Sequence, residues 1–412
     1  LATRERMTVD QFVALALSSA ALLAGCGGDS EAPATEASSP AASSLQQRVN
    51  ASFEKGADWI VSRQNKEGAW ESRGYPSNAY TAMSLYAIAD APGDLKKKYA
   101  PAIEKGIAFL LPKIESDGSL AEADGTYRTY ATSLLLMALG TIDREKYAAQ
   151  IKKAQDHLVG RQVEDGLYKG GFGYGDKTHG KTGEVTDKTT ADLSNTGFAI
   201  EALKISGLSE ESEAYKNVIA FLQATQNNSE TNNDPEVAKV LAEKKIKNAN
   251  DGGFRYGPTE TRASEEKLPD GTVILKSYGS MTYDGLKTYV YANLGKDDPR
   301  VKAAINWIRS NYTLERHPGF DFDAVKRTDQ TGIYYYYVMM SRGLEAYGEH
   351  PLLLANGEKR DWAKELGEKI LSLQEAEGGK AWVNKQSRWE EGDPLIATSY
   401  ALLVYKSIGK HL

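Results

Sequence analysis

From Ser52 onward the apolar positions recur in long units. An amphipathic segment ends at a glycine-containing turn, often followed by an aromatic, and a second, more apolar segment then starts near Thr or Tyr. The first unit is "ASFEKGADWIVSRQNKEGAW" followed by "NAYTAMSLYAIA"; the third is "IKKAQDHLVGRQVEDGLY" followed by "LSNTGFAIEALKI"; the sixth is "DWAKELGEKILSLQEAEGGKAWVN" followed by "IATSYALLVYKSIG". Both segments of each unit carry the 3.6-residue spacing of an amphipathic face, which predicts a helical hairpin. The Gly after Asp or Glu supplies a turn with positive φ, and Trp70, Tyr168, Phe254 or Trp382 then covers the helix ends. The units are longer and less regular than those of the common solenoids. Six such hairpins close into a ring, with six inner helices around a cavity and six outer ones facing water. The expected fold is therefore all-α, an (α/α)6 toroid over residues 51–412 that needs no capping repeat.

Two long insertions interrupt the pattern. Leu167–Ala191 is rich in glycine and precedes the "DLSNTG" helix, and Phe254–Gly279 carries "PDG" between two extended stretches, which predicts a small β-hairpin. Loops of this length in a compact domain serve as lids or inserts. "GGFGYG" lacks the following Lys-Ser/Thr of a phosphate loop. "NNSETNNDPEVAKVLAEKKIKNAN" reads as a solvated outer excursion.

A net charge of −6 over 412 residues, with acids and bases interleaved, leaves no basic stripe for nucleic acid. The N-terminus has a different character. Arg4 and Arg6 precede the apolar run "FVALALSSAALLAG" and then "LAGC", ending at Cys26, the single cysteine. This resembles a bacterial lipoprotein signal peptide over residues 1–25. The resemblance implies acylation of Cys26 and a protein lipid-anchored to a membrane of the cell envelope; the Ser/Ala/Pro-rich composition of residues 26–50 reads as a disordered tether, and the protein is expected to be a monomer.

"RQNKEGAW", "RQVEDGLY", "NDGGF" and "LQEAEGGKAW" resemble the Gln-x-x-Asp-Gly-x-Trp repeat of the squalene–hopene and oxidosqualene cyclases, and more weakly that of the protein prenyltransferase β subunits. The resemblance spans residues 52–410 and implies the α/α toroid; fold alone does not imply the reaction. The cyclases protonate substrate with an Asp-x-Asp-Asp-Thr motif at an inner-helix start, which falls here on Asp192-Leu193-Ser194-Asn195-Thr196. The first Asp and the Thr match, but Ser194 stands at the proton-delivering position, and a hydroxyl is too weak an acid to protonate an alkene. Squalene cyclisation is thus not expected unless Asp321 or Asp323 of "DFDAV" substitutes. Asp192, Ser194 and Asn195 are equally good N-cap residues. The prenyltransferases hold zinc with Asp, Cys and His. The folded body has no cysteine, and His157, His179, His317, His350 and His411 show no paired spacing, so neither a metal nor another cofactor is expected.

Inner-helix starts converge on one mouth of such a ring. The candidate ligand-facing residues are Tyr80, Tyr130, Asp192, Ser194, Asn195, Tyr283, Asp284, Tyr335 and Tyr336 (within the run Tyr334–Tyr337), Asp393 and Tyr400. Asp321, Asp323 and Asp329 with His317 form an acidic loop cluster, weak as a metal site. With 23 tyrosines against 9 phenylalanines, the chain favours aromatics carrying a hydroxyl. Such a lining suits an elongate ligand with apolar faces and polar groups, an isoprenoid or a glycan. Three functions stay open: a binder without the family activities, a carbohydrate-active enzyme using cavity carboxylates, and a non-catalytic envelope scaffold.

Overall fold

The structure, a computed structural model, describes residues 43–175 and 190–412. The signal-like segment with Cys26 and most of the expected tether lie outside the described residues, as does the stretch 176–189 of the glycine-rich insertion. Residues 45–50, expected as part of the tether, belong instead to helix α1 (Leu45–Ser62), which starts there because Ser44 and Gln47 form a reciprocal capping box.

Six helical pairs follow one another. Helix α1 pairs with α2 (Asn78–Ala89), α3 (Leu95–Leu110) with α4 (Arg128–Ile142), and α5 (Ala148–Arg161) with α6 (Leu193–Ile205). Helix α7 (Glu213–Thr225) is followed by the short α8 (Pro235–Glu243) before its partner α9 (Gly279–Tyr291). The last pairs are α10 (Pro299–Asn311) with α11 (Ile333–Tyr347), and α12 (Trp362–Ala376) with α13 (Pro394–Ile408). The second members pack side by side in the order α2, α4, α6, α9, α11, α13, and α13 returns to α2. The ring is closed, and the first members form its outer wall. The inner helices are not amphipathic as the spacing suggested. In α6 every residue from Leu193 to Leu203 is buried, because an inner helix has neighbours on both sides, an outer helix behind it and the ring axis in front.

The repeated turn motif has a physical meaning in this geometry. Gln64 Nε2 donates to the carbonyl of its own turn residue Gly68 at 3.0 Å and to Ala102 of the next outer helix at 2.9 Å. Gln162 does the same with Gly170 and Ala214, and Gln226 with Gly252 and Arg300. Gln374 reaches from α12 to Ser52 of α1, which returns its hydroxyl to the Gln374 oxygen at 2.7 Å, so the same device joins last repeat to first. The turn glycine is required by space as well as by φ. A Cβ on Gly68 (φ +96) would lie 2.4 Å from the Lys105 carbonyl, and one on Gly170 (φ +83) would lie 1.9 Å from that of Asn217. The aromatic after it covers the end of its own outer helix: the Trp70 and Trp382 indoles donate to the carbonyls of Ile60 and Ile370 at 2.7 and 2.9 Å.

A second repeated device sits at the inner-helix starts. The hydroxyls of Thr81, Thr132, Thr196, Thr282 and Thr398 accept from the backbone N–H of Trp70, Leu120, Phe172, Phe254 and Trp382. Each fastens an incoming loop to the first turn of an inner helix. In the fifth repeat the α11 start carries four tyrosines instead.

Short strands decorate the loops. Strands β1 (Trp70–Ser72) and β2 (Tyr75–Ser77) form a hairpin whose tip, Arg73-Gly74, has positive φ at both residues. The expected "PDG" hairpin is present as β4 (Glu265–Lys267) and β5 (Val273–Leu275). It is joined in parallel by β3 (Ile246–Lys247), which ties down the end of the stretch read as a solvated excursion; between Ser229 and Asn250 only Val237 of α8 is buried. Strands β6 (Leu352–Leu353) and β7 (Lys359–Arg360) pair between α11 and α12.

Candidate ligand site

The N-terminal turns of the six inner helices enclose a cavity of about 790 Å³. Its floor is built from Tyr80 and Met83 of α2, Tyr130 and Leu134 of α4, Ser194 and Phe198 of α6, Ser280 and Met281 of α9, Tyr335 of α11, and Ile396 and Tyr400 of α13. These positions fall in the first two turns of each helix, where side chains lean toward the helix N-terminus and hence toward the mouth. The rim carries Arg73 and Tyr75 of the first hairpin, Tyr127, Arg262, Arg388, Trp389 and Glu390.

Ser194 is the polar centre of the floor. The Tyr130 hydroxyl donates to Ser194 Oγ at 2.6 Å, and Ser194 Oγ shares a hydrogen bond of 2.8 Å with the Tyr335 hydroxyl. Phe198 lies between these tyrosines, edge-on to Tyr130 at 5.3 Å and stacked on Tyr335 at 6.2 Å. Burial pushes both phenols well above the ordinary tyrosine value, so they remain neutral hydroxyls.

The other candidates separate into two groups. Asp192 is 4% exposed and outside the cavity lining. Its carboxylate caps α6, accepting the Asn195 backbone N–H at 2.9 Å and the Asn195 side-chain amide at 2.8 Å. Burial pushes Asp192 up to about 6 despite hydrogen bonds from Asn195 and the Tyr256 hydroxyl. Asn195 is fully buried in this bond. Thr196 is one of the five repeated threonines, so both residues that match the cyclase motif here serve the helix start.

Further candidates lie elsewhere. Tyr336 packs on the His317 ring at 4.9 Å and donates to the Thr313 carbonyl, with Tyr283 behind it at 5.8 Å; both are core. The tyrosine run places only Tyr335 in the cavity, because the helix turns its neighbours away. Asp393 is the N-cap of α13. Asp321 faces a separate surface pocket and pairs with Lys276 at 3.3 Å, while Asp323 closes its own turn on Val325 and Lys326; neither reaches the cavity. His317 belongs to no acidic cluster. Its Nδ1–H donates to Thr331 and its Nε2 accepts the first-turn N–H of Ser280 at 2.9 Å, and burial lowers it to about 3. It is a trans cap for α9. Among the described residues no group of side chains could hold a metal ion, and no helix is long and apolar enough to cross a membrane.

Asp284 lies below the floor, in an ion cluster that the spacing did not reveal. Lys287 Nζ sits 2.7 Å from Glu201 and 2.9 Å from Asp284, and Arg342 sits 2.8 Å from the second Glu201 oxygen. All four are buried on the ring axis, drawn from α6, α9 and α11. Arg342 also donates to the Tyr86 hydroxyl of α2 at 3.3 Å. Two acids balance two bases, and the cluster occupies the ring interior beneath the cavity floor. The positions carrying it, Glu201, Lys287 and Arg342, come from three repeats and share no local motif. Four non-glycine residues with left-handed backbone surround the mouth: Arg73, Tyr127, Trp389 and Glu390. Such strain concentrates at ligand-contacting loops.

The family model of the squalene-hopene cyclase C-terminal domain matches residues 74–240. No curated protein matches the sequence. Among solved structures, the type II terpene cyclase MstE from Scytonema without ligand aligns with a TM-score of 0.54 at 11% identity, covering 89% of this chain and 99% of that one. The same cyclase in complex with merosterolic acid A gives 0.51 at 12% identity with the same coverage. An α-amylase from Clostridium perfringens gives 0.50 at 9% identity, covering 87% and 98%. At these identities the shared property is the ring itself. Closed topology, turn repeat and these matches together show that the chain has a terpenoid cyclase-like α/α-toroid fold.

Proposed function

We propose that the chain holds an elongate, partly apolar ligand of isoprenoid type in the ring cavity and does not cyclise it by protonation. One observation carries this. At the position where the cyclase resemblance puts the proton donor stands Ser194, bonded to two neutral tyrosines, and among the described residues no carboxyl group joins it on the floor. A phenol near its ordinary value of about 10, or above it, cannot protonate an alkene. The three acids of the lining are already committed: Glu122 caps α2 through Ser77 and Ala79, Asp124 accepts from the Thr126 backbone N–H and hydroxyl, and Glu390 pairs with Arg73. A cavity of about 790 Å³ suits a small-molecule ligand rather than a packed scaffold core. Anchoring through an acylated Cys26 belongs to the same proposal and would keep the protein at a membrane that supplies apolar ligands.

A second reading, a glycan ligand, is favoured by the exposed rim aromatics Tyr75, Tyr127 and Trp389, which could stack on sugar rings. Isothermal titration with geranylgeraniol and with maltohexaose separates the two. The isoprenoid alcohol is expected to bind, and Leu134→Trp, which fills the floor, is expected to abolish binding. Binding of the oligosaccharide alone would reverse the assignment.

A further inference from the structure

We infer that the Tyr130–Ser194–Tyr335 cluster selects a ligand ending in a neutral oxygen function, and reads that oxygen at the bottom of the cavity. This rests on the isoprenoid-binding reading and names the end group and its orientation.

The hydrogens of the cluster do not balance. Its three hydroxyls bring one hydrogen each, and the two hydrogen bonds among them consume two. Tyr130 spends its hydrogen on Ser194. If Ser194 donates to Tyr335, the Tyr335 hydrogen is left over; if Tyr335 donates, the Ser194 hydrogen is left over. Either arrangement leaves one donor with no acceptor among the described residues, on oxygens that line the cavity. Donors without an acceptor are uncommon in a folded interior and call for one.

The surroundings define which acceptor fits. Phe198, Met83, Leu134 and Ile396 with the rings of Tyr80 and Tyr400 leave the rest of the floor uncharged and mostly apolar, and the arginines of the lining, Arg73, Arg262 and Arg388, all stand at the rim. With no cation at the floor, a phosphate or carboxylate would be buried unpaired there, which is strongly unfavourable. A hydrocarbon end would leave the surplus donor unsatisfied. An alcohol, ketone or ether oxygen meets the donor and offends nothing else. The ligand therefore enters oxygen first, with its apolar tail running up toward the mouth.

The test compares geranylgeraniol with the hydrocarbon of the same skeleton, titrated into the full protein. The alcohol is expected to bind at least about ten-fold more tightly than the hydrocarbon. The Tyr130→Phe/Ser194→Ala/Tyr335→Phe triple variant, which removes every hydroxyl of the cluster, should bring that ratio close to one, with hydrocarbon affinity retained as evidence that the cavity is intact. Equal affinity of the wild-type protein for both probes would overturn the inference while leaving the isoprenoid reading standing, as would a ratio that survives the triple variant. Failure of the wild-type protein to bind either probe would remove both.

Discussion

The same inner helices build two unlike interiors. Near their N-termini they face each other across an open cavity lined by neutral hydroxyls and rings. Further along, α6, α9 and α11 meet through four buried charges. Both regions are polar groups placed inside a ring, yet their energetic logic is opposite. The lower charges pair with one another across three repeats and so specify how these sit together, although both Asp284 oxygens and Arg342 Nη1 have no hydrogen-bond partner among the described residues. The upper hydroxyls retain an unspent donor, which is what a binding surface needs.

The comparison can be broken most severely from below. Lys287→Met leaves Glu201 and Asp284 buried against Arg342 alone, and is expected to destabilise the fold by about 3–5 kcal/mol in urea unfolding. A smaller loss would show that water reaches the cluster.

The next effect concerns pH and the upper region. Asp192 is held up to about 6 in the fold, from an ordinary 3.8. A raised acid binds its proton more tightly when folded, so its contribution is complete below about pH 4 and is lost as pH rises through about 6. Over that interval it amounts to about 3 kcal/mol at most, at 1.36 kcal/mol per pH unit. Asp192→Asn mimics the protonated carboxyl and still caps the helix, so its stability profile from pH 4 to 7 is expected to be flatter than wild type. An unchanged slope would refute the raised value. Glu391, buried and pushed up to about 7 while capping α11 through the Tyr334 and Tyr335 N–H groups, sharpens the wild-type slope in the same direction.

Gly197→Ala should follow, at about 1–3 kcal/mol, because its Cβ would stand 2.1 Å from Asp284 Oδ1 and the carboxylate must move within a packed interior. The smallest effect belongs to the mouth. Arg73→Ala breaks an exposed pair with Glu390 and is expected to leave the melting midpoint unchanged within error.

The ring was legible because its determinants are local and repeated. Gln64, Gly68 and Trp70 lie within seven residues and recur, so the pattern stands out in the bare chain. The recurring threonine was legible too, in "AYTAM", "YATS", "SNTG", "SMTYDG" and "IATSY". Set beside one another, these put Thr196 in a structural series rather than in a catalytic motif. The cavity residues were half legible. Tyr80, Tyr130, Ser194 and Tyr335 follow from position at an inner-helix start, but the same rule proposed Asn195, Tyr283 and Tyr336, which a rotation of roughly 100° per residue turns into the wall. The charge cluster was hidden. Glu201, Lys287 and Arg342 each look like a solvated residue of an amphipathic helix until three distant repeats are brought to one axis.

The bond between Gln374 and Ser52 joins residues 322 positions apart, and Arg48 and Glu368 add an ion pair across the same seam. A nascent chain emerging from the ribosome therefore carries α1 as an unmatched wall until the final pair has been made. Until then it is an open horseshoe with apolar flanks at both ends. Folding must wait for the most non-local contacts in the molecule, which is slow and exposes surface that invites aggregation.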